Sequence, residues 1–141
     1  MADRTLYTSE ASRITTQNIQ TALALSFIRL FDETLIPTPT TTQAELAAAE
    51  TTLVGYPAGG YPVTAFHDPI NADAGGDIIL SPLVQPEYAS GAPVTIGGYW
   101  LEDAGGKVRQ VFIFQPQRPL ASLGQGFPIV CQLGYGGPTQ V

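Results

Sequence analysis

A chain of 141 residues, 44% hydrophobic and only 13% charged, is long enough for one domain that buries roughly 70% of the surface its unfolded form exposes, so neither a disulfide nor a metal is needed to hold it. Fifteen glycines and twelve prolines describe a loop-punctuated β composition and exclude a helical bundle. Six basic residues stand against twelve acidic ones for a net charge of -6, and Arg4, Arg13, Arg29, Lys107, Arg109 and Arg118 are scattered. That excludes the clustered cations that nucleic acid or an anionic membrane requires.

Met1 to about Gln20 is polar, rich in Thr and Ser and without a clean period. It reads as an arm, disordered alone or ordered against a neighbouring subunit, ahead of a domain over 21–141. Met1-Ala2-Asp3-Arg4-Thr5 lacks the basic-then-apolar pattern of a secretory signal, and no apolar stretch reaches the roughly 20 residues of a membrane span. Synthesis and assembly in a cytosol are expected.

From Thr21 to Phe31 the parity of Leu23, Leu25, Phe27 and Phe31 predicts a strand buried on both faces, with a helix over Ile19 to Leu30 as the competing reading. Pro37 and Pro39 end that element, because neither can donate to a ladder. Thr42-Gln43-Ala44-Glu45 has the spacing of a capping box, so one short helix continues through Leu46 to Glu50. Thr51 to Tyr56 returns to β character. Later strands are expected at Tyr61 to Phe66, Asp77 to Val84, Val94 to Leu101, Val108 to Phe114 and Phe127 to Leu133, with Pro62, Pro82, Pro86, Pro93, Pro116, Pro119 and Pro128 at or near their ends. The strands at Val94 and Val108 form a hairpin in which Asp103 starts the turn and Gly105-Gly106 supply positive φ. Regular short strands with turn signals predict a mainly β fold, an antiparallel sandwich or jelly roll in a single domain.

The chemistry-bearing residues do not form a recognisable motif. His67 is the sole histidine, with Asp68, Asp73 and Asp77 following in a Gly-containing loop. Neither the alternating oxygen ligands of an EF-hand nor the several Cys and His of a zinc site are present, so a solvated loop is expected, with a weak calcium site as the alternative. Cys131, alone and in the apolar run Pro128 to Leu133, reads as an inert buried thiol, and no motif supports a dyad with His67. Ser81, Ser90 and Ser122 lack the nucleophile-elbow glycines. Asp32-Glu33 and Glu102-Asp103 are adjacent pairs whose side chains point apart on a strand and decorate turns.

The pairs Gly59-Gly60, Gly75-Gly76, Gly97-Gly98, Gly105-Gly106 and Gly136-Gly137 are not phosphate cradles, since no Gly-Lys-Ser/Thr follows. Gly97-Gly98 inside a β run marks a bulge or a close backbone approach. Tyr56, Tyr61, Tyr88, Tyr99, Trp100 and Tyr135 could make a sugar-stacking platform. Alternation sets Tyr99 and Trp100 on opposite faces, so one of them at most faces the core of a one-sided sheet. No catalytic, cofactor-binding or metal-binding residue is therefore assigned, and no cofactor is expected.

Leu30-Phe31 leading into a Pro/Thr loop, the Ala44-Glu45-Leu46 turn ahead of Leu53-Val54-Gly55-Tyr56, and Gly98-Tyr99-Trp100-Leu101 with Asp103-Ala104-Gly105-Gly106 together span about residues 28 to 114. In this arrangement the chain resembles small virion proteins of tailed bacteriophages, the capsid cement or decoration type. The resemblance implies a non-enzymatic β-sandwich or jelly roll that binds major capsid protein on the outer surface of an icosahedral shell, frequently as a homotrimer. It implies no catalytic residue. A tail or head-fibre component, a carbohydrate-binding module and, last, a hydrolase using His67 or Cys131 are the competing readings. The core is expected to rest on Phe27, Leu30, Leu53, Trp100, Val111, Phe112 and Ile129, and contacts on the arm from Thr5 to Gln20 and the turn from Asp103 to Lys107.

Overall fold

The computed structural model describes residues 17–67, 70–71 and 77–135. A short helix, α1, covers residues 17–22. It is followed by β1 (Ser26–Asp32), the helix α2 (Gln43–Ala48), β2 (Tyr61–Val63), β3 (Ile70–Asn71), β4 (Asp77–Leu80), β5 (Val94–Asp103), β6 (Val108–Leu120) and β7 (Gln132–Tyr135). The fold is mainly β, in two antiparallel sheets: four strands in the order β2-β1-β5-β6 and three in the order β3-β4-β7.

The single strand expected from Thr21 to Phe31 is instead a helix end and a strand. Leu23 N donates to Ile19 O at 3.0 Å and the Ser26 hydroxyl donates to Leu23 O, so the chain turns through residues 23–25 and becomes extended only at Ser26. Both sequence periods are real, and each governs its own half. Among the described residues there are thus two short helices where one was expected. Residues 1–16 of the arm lie outside the described residues.

The capping box at α2 forms as its spacing dictates. Glu45 N donates to Thr42 Oγ1 at 3.2 Å, and the Glu45 carboxylate accepts from Thr42 N at 3.4 Å. Leu46 is then turned inward and fully buried. The β character expected from Thr51 to Tyr56 is not realised as a strand. Glu50 makes an isolated bridge to Phe31 and Thr51 N donates to Leu30 O, but Tyr56 N closes a turn onto Leu53 O, with Gly55 at φ +92°.

β5 carries the architecture. It pairs with β1 on one side and β6 on the other, and Ile96 to Asp103 are all buried. Tyr99 and Trp100 do point to opposite faces, yet both are buried, at 4% and 0% exposure. The limit of one core-facing residue held for a one-sided sheet, and this sheet is covered on both sides. On one face Ile28, Leu30, Tyr99, Leu101 and Phe114 pack with Ile79, Ile129 and Cys131, drawn from β4 and the segment before β7. On the other, Phe31 and Trp100 pack with Leu46 and Ala49 at α2, flanked by Leu35, Val108 and Val111.

The hairpin turn is built as expected, with one correction. Asp103 Oδ1 accepts from Gly105 N and Lys107 N, both at 2.9 Å, and Asp103 O accepts from Gly106 N at 3.0 Å. Only Gly106 of the two glycines has positive φ, +82°. The flanking strands run further than expected, to Asp103 in β5 and to Leu120 in β6. Pro116 and Pro119 lie within β6 rather than ending it, which an edge strand tolerates because proline needs no donor on the side facing solvent. The Gln115–Pro116 peptide is cis.

Strands elsewhere are shorter than expected. Tyr61 to Phe66 is a strand only to Val63, Asp77 to Val84 only to Leu80, and Phe127 to Leu133 begins its ladder at Gln132, with Val84 and Ile129 making a lone bridge. β3 lies inside the segment read as a solvated loop. Of the expected core, Leu30, Leu53, Trp100 and Ile129 are buried, while Phe27 and Val111 are half-buried. Phe112 is 49% exposed, because β6 is the sheet edge and this residue covers Tyr99 from outside.

Candidate functional site

Two places on the molecule gather unusual side chains: a charged cluster beneath α2, and the outer edge of β6. The cluster starts with Arg29, a lone cation in the apolar run of β1. In the antiparallel ladder Arg29 lies opposite Trp100, and its guanidinium sits over the indole ring at 5.2 Å from the centroid, a favourable cation–π distance. Arg29 grips Glu50 through two bonds, Nε to Oε2 at 2.9 Å and Nη2 to Oε1 at 2.7 Å, and Nη1 reaches Glu102 Oε2 at 2.6 Å. Gln43 Nε2 donates to the other Glu102 oxygen at 2.9 Å, and the Tyr56 hydroxyl donates to Glu50 Oε2 at 2.7 Å. Tyr56 in turn accepts from Leu30 N at 3.1 Å.

These bonds set the protonation states. Hydrogen bonding to Glu50, opposed by burial, drives the Arg29 guanidinium further above its ordinary value. Burial pushes the Glu50 carboxyl up, but bonds from Arg29 and Tyr56 outweigh it and hold the group below its ordinary 4.5. Burial, reinforced by the bond to Glu50, raises the Tyr56 phenol. The result is a cluster whose polar groups satisfy one another, with the Glu50 carboxylate held ionised by Arg29 and Tyr56. It works as a clamp joining β1, β5, α2 and the segment after α2. Trp100 beneath it has an indole Nε1 without a hydrogen-bond partner among the described residues, so its contribution is apolar area and the cation above it.

The clamp corrects the reading of Glu102-Asp103 as turn decoration. Asp103 does build the turn and also pairs with Arg109 Nε at 2.8 Å. Bonds from the Lys107 amide first, and then from Arg109 and the Gly105 amide, hold its carboxyl below the ordinary range. Glu102 is 4% exposed and belongs to the clamp. Asp32, by contrast, serves a turn, accepting from Thr34 N at 2.9 Å.

His67 is exposed and its amide donates to Leu80 O at 2.9 Å. Asp68 and Asp73 lie outside the described residues, as do Gly75-Gly76 and Gly136-Gly137, and no three His, Cys, Asp or Glu side chains come together among the described residues. Cys131 is fully buried. Its Sγ donates to Gln110 Oε1 at 3.1 Å, its amide donates to Ser81 Oγ at 2.8 Å, and burial pushes its thiol up to about 11. A thiol so shielded is a poor nucleophile. Ser81 is buried and spends its hydroxyl on Pro82 O, while Ser90 and Ser122 sit exposed in loops. Gly97-Gly98 is the close approach its sequence predicts. A Cβ on Gly98 would collide with Phe112 O and the Phe31 ring, one on Gly97 would stand 2.7 Å from Asp32 O, and the ladder shifts register between Ile96 and Gly98.

A stacking platform built on Trp100 and Tyr99 does not exist, since both are buried. Tyr56 and Tyr61 pack edge to face at 5.4 Å between centroids, and Tyr88 spends its hydroxyl on Gly91 O. The side chain of Tyr135 lies outside the described residues.

The second place is β6. It is the outermost strand of its sheet, and among the described residues no strand pairs with its other side. Phe112 and Ile113 are 49% and 45% exposed at its centre. Grooves border it on both faces. One of about 480 Å³ is lined by Pro37, Pro39, Val108, Val111 and Ile113. On the opposite face, clefts of about 240 and 360 Å³ run along Tyr99, Phe112 and Val130, the smaller one reaching Arg118. Sequence reasoning missed both places. The signal for the clamp was Arg29 itself, a single charge between Ile28 and Leu30; nothing local announced which carboxylates would meet it.

No helix among the described residues is long and apolar enough to cross a membrane. Searches of protein-family models, of curated proteins and of solved structures found no match to this chain.

Proposed function

We propose that this chain is a non-enzymatic structural component of a phage particle, a β-sandwich-like unit that binds major capsid protein on the outside of the shell and cements or decorates it, self-associating as a trimer. The observation that carries the reading is the outer edge of β6, a strand with Phe112 and Ile113 exposed at its centre and grooves along both faces. Exposed apolar surface bordered by polar residues is what a protein–protein contact uses. The clamp, where charge is concentrated, is fully paired and offers no group for turnover.

The electrostatics agree with an outer position. A net charge of -6 is repelled by packaged nucleic acid and is compatible with the solvent side of a shell. The phage assignment itself rests on the resemblance over residues 28–114. Mixing the purified protein with undecorated phage heads tests it. Saturable co-sedimentation at a fixed ratio to capsid subunits is expected, and a protein left wholly in the supernatant would overturn the reading.

A further inference from the structure

We propose that the outer edge of β6, which pairs with no strand among the described residues, takes an added strand from a different protein, an extended segment with apolar side chains at alternate positions and carboxylates near its ends. This names the contact surface of the assembly role above and rests on that reading.

Strand addition needs an unpaired ladder and places for alternate side chains. β6 supplies both. From Val108 to Gln115 the edge has no proline, and its one charged residue, Arg109, is already neutralised by Asp103. The usual protections of an edge, proline and unpaired charge, begin only at Pro116. An incoming strand would set successive side chains alternately into the groove beside Val111 and Ile113 and into the clefts beside Phe112 and Phe114. Of the other sheet ends, β2 has three residues with Pro62 at its middle, β3 has two and β7 four, against the thirteen of β6.

Charge selects the occupant. All twelve carboxylate residues of the chain lie at or before Asp103; from Ala104 to Val141 there are Lys107, Arg109 and Arg118 and no Asp or Glu. With Arg109 paired to Asp103, Lys107 and Arg118 are the cations near the two ends of this run. Among the described residues Arg118 meets no carboxylate: it lies over Phe114 at 5.2 Å and donates to Pro116 O at 2.5 Å, at the mouth of the smaller cleft. Pairing β6 with β6 of a second copy would line both sets of these cations along one seam, and like charges across a ladder are destabilising. A carboxylate-bearing strand from another protein meets Arg118 and Lys107 favourably, and such contacts govern specificity and association rate.

The test uses the intact protein and two fluorescein-labelled peptides of roughly ten residues, a typical strand's length or more, alternating Val and Thr and ending in either Glu or Lys. The Glu-ended peptide is expected to raise anisotropy on binding, the Lys-ended one to bind about tenfold more weakly, and added salt to narrow that gap. Arg118→Glu should weaken the Glu-ended peptide severalfold. Ile113→Lys, at an exposed position, should abolish binding of both with an unchanged thermal melt. No binding of the Glu-ended peptide, equal binding of both peptides, or a solution dimer dissolved by Ile113→Lys would overturn the proposal. Heads that still co-sediment with Ile113→Lys protein would remove this surface and keep the assembly role; peptide binding without head binding would do the reverse.

Discussion

Arg29 shows how one residue can decide whether a buried polar cluster is an asset. Its side chain is 18% exposed, and the carboxylates it holds are 19% and 5% exposed. Two such carboxylates without their cation would repel in a poorly solvated space. Replacing Arg29 by Met is therefore expected to cost about 3 kcal/mol of stability at neutral pH, the scale of breaking a buried pair by deleting one partner, read from the midpoint of urea unfolding. Arg29→Lys keeps the charge but loses the two-pronged grip on Glu50, and should fall between.

The same residue predicts the acid limb of stability. The Glu50 carboxyl is held below its ordinary 4.5 in the folded state, so the unfolded chain binds the proton more readily. Its stabilising contribution is complete above that ordinary value and is lost as pH falls through the lower folded one. Urea midpoints across this range should drop for the parent protein and stay flatter for Arg29→Met, where no cation depresses the group.

At the scale of elements, β5 and its neighbours show what pattern reasoning captured. The hairpin, the capping box at Thr42 and the crowding at Gly97-Gly98 were legible because each is a local rule: turn residues, a three-residue spacing, glycine inside a β run. The split of residues 17–32 between helix and strand was not, since Ala and Leu satisfy both periods and only the pairing of Ser26 with Val63 and Asp103 fixes where the ladder begins. The extension of β6 past Pro116 was hidden for a similar reason. Proline reads as a stop unless one knows that the strand is an edge. Gly98→Ala tests the local reading: a methyl there meets the Phe112 carbonyl and the Phe31 ring. Neither can withdraw from the ladder or the core, so a loss of about 2 kcal/mol is expected from thermal or urea unfolding, the typical cost of overpacking.

Across the whole molecule, the mainly β class followed from composition and turn spacing, whereas the two-sided burial of the β5 sheet did not. A central strand covered by α2 on one face and by β4 and the Ile129–Cys131 segment on the other is a property of the assembled layers, and it is why Trp100 and Tyr99 are both interior. The clamp was equally illegible, because Arg29, Gln43, Glu50 and Glu102 are brought together only by that layering. Cys131 reports on the integrity of the layers. Fully buried, with its thiol pushed up to about 11 from 9.0, it should resist a thiol reagent in the native protein and react at once in denaturant. Its linkage has the opposite sign to that of Glu50: the unfolded thiol ionises first as pH rises from 9 toward 11, so stability should decline across that interval. A native protein labelled as fast as the denatured one would show that this core opens readily.

The two outer strands of the four-stranded sheet are unlike, and that gives the sheet a direction. Pro62 at the middle of the three-residue β2 brings no ladder donor, so a strand added along β6 would not be relayed to a next unit across the same sheet. Under the proposed strand addition, one added strand per chain is expected at this sheet. That difference between its two margins works against a sheet that grows by repeating itself.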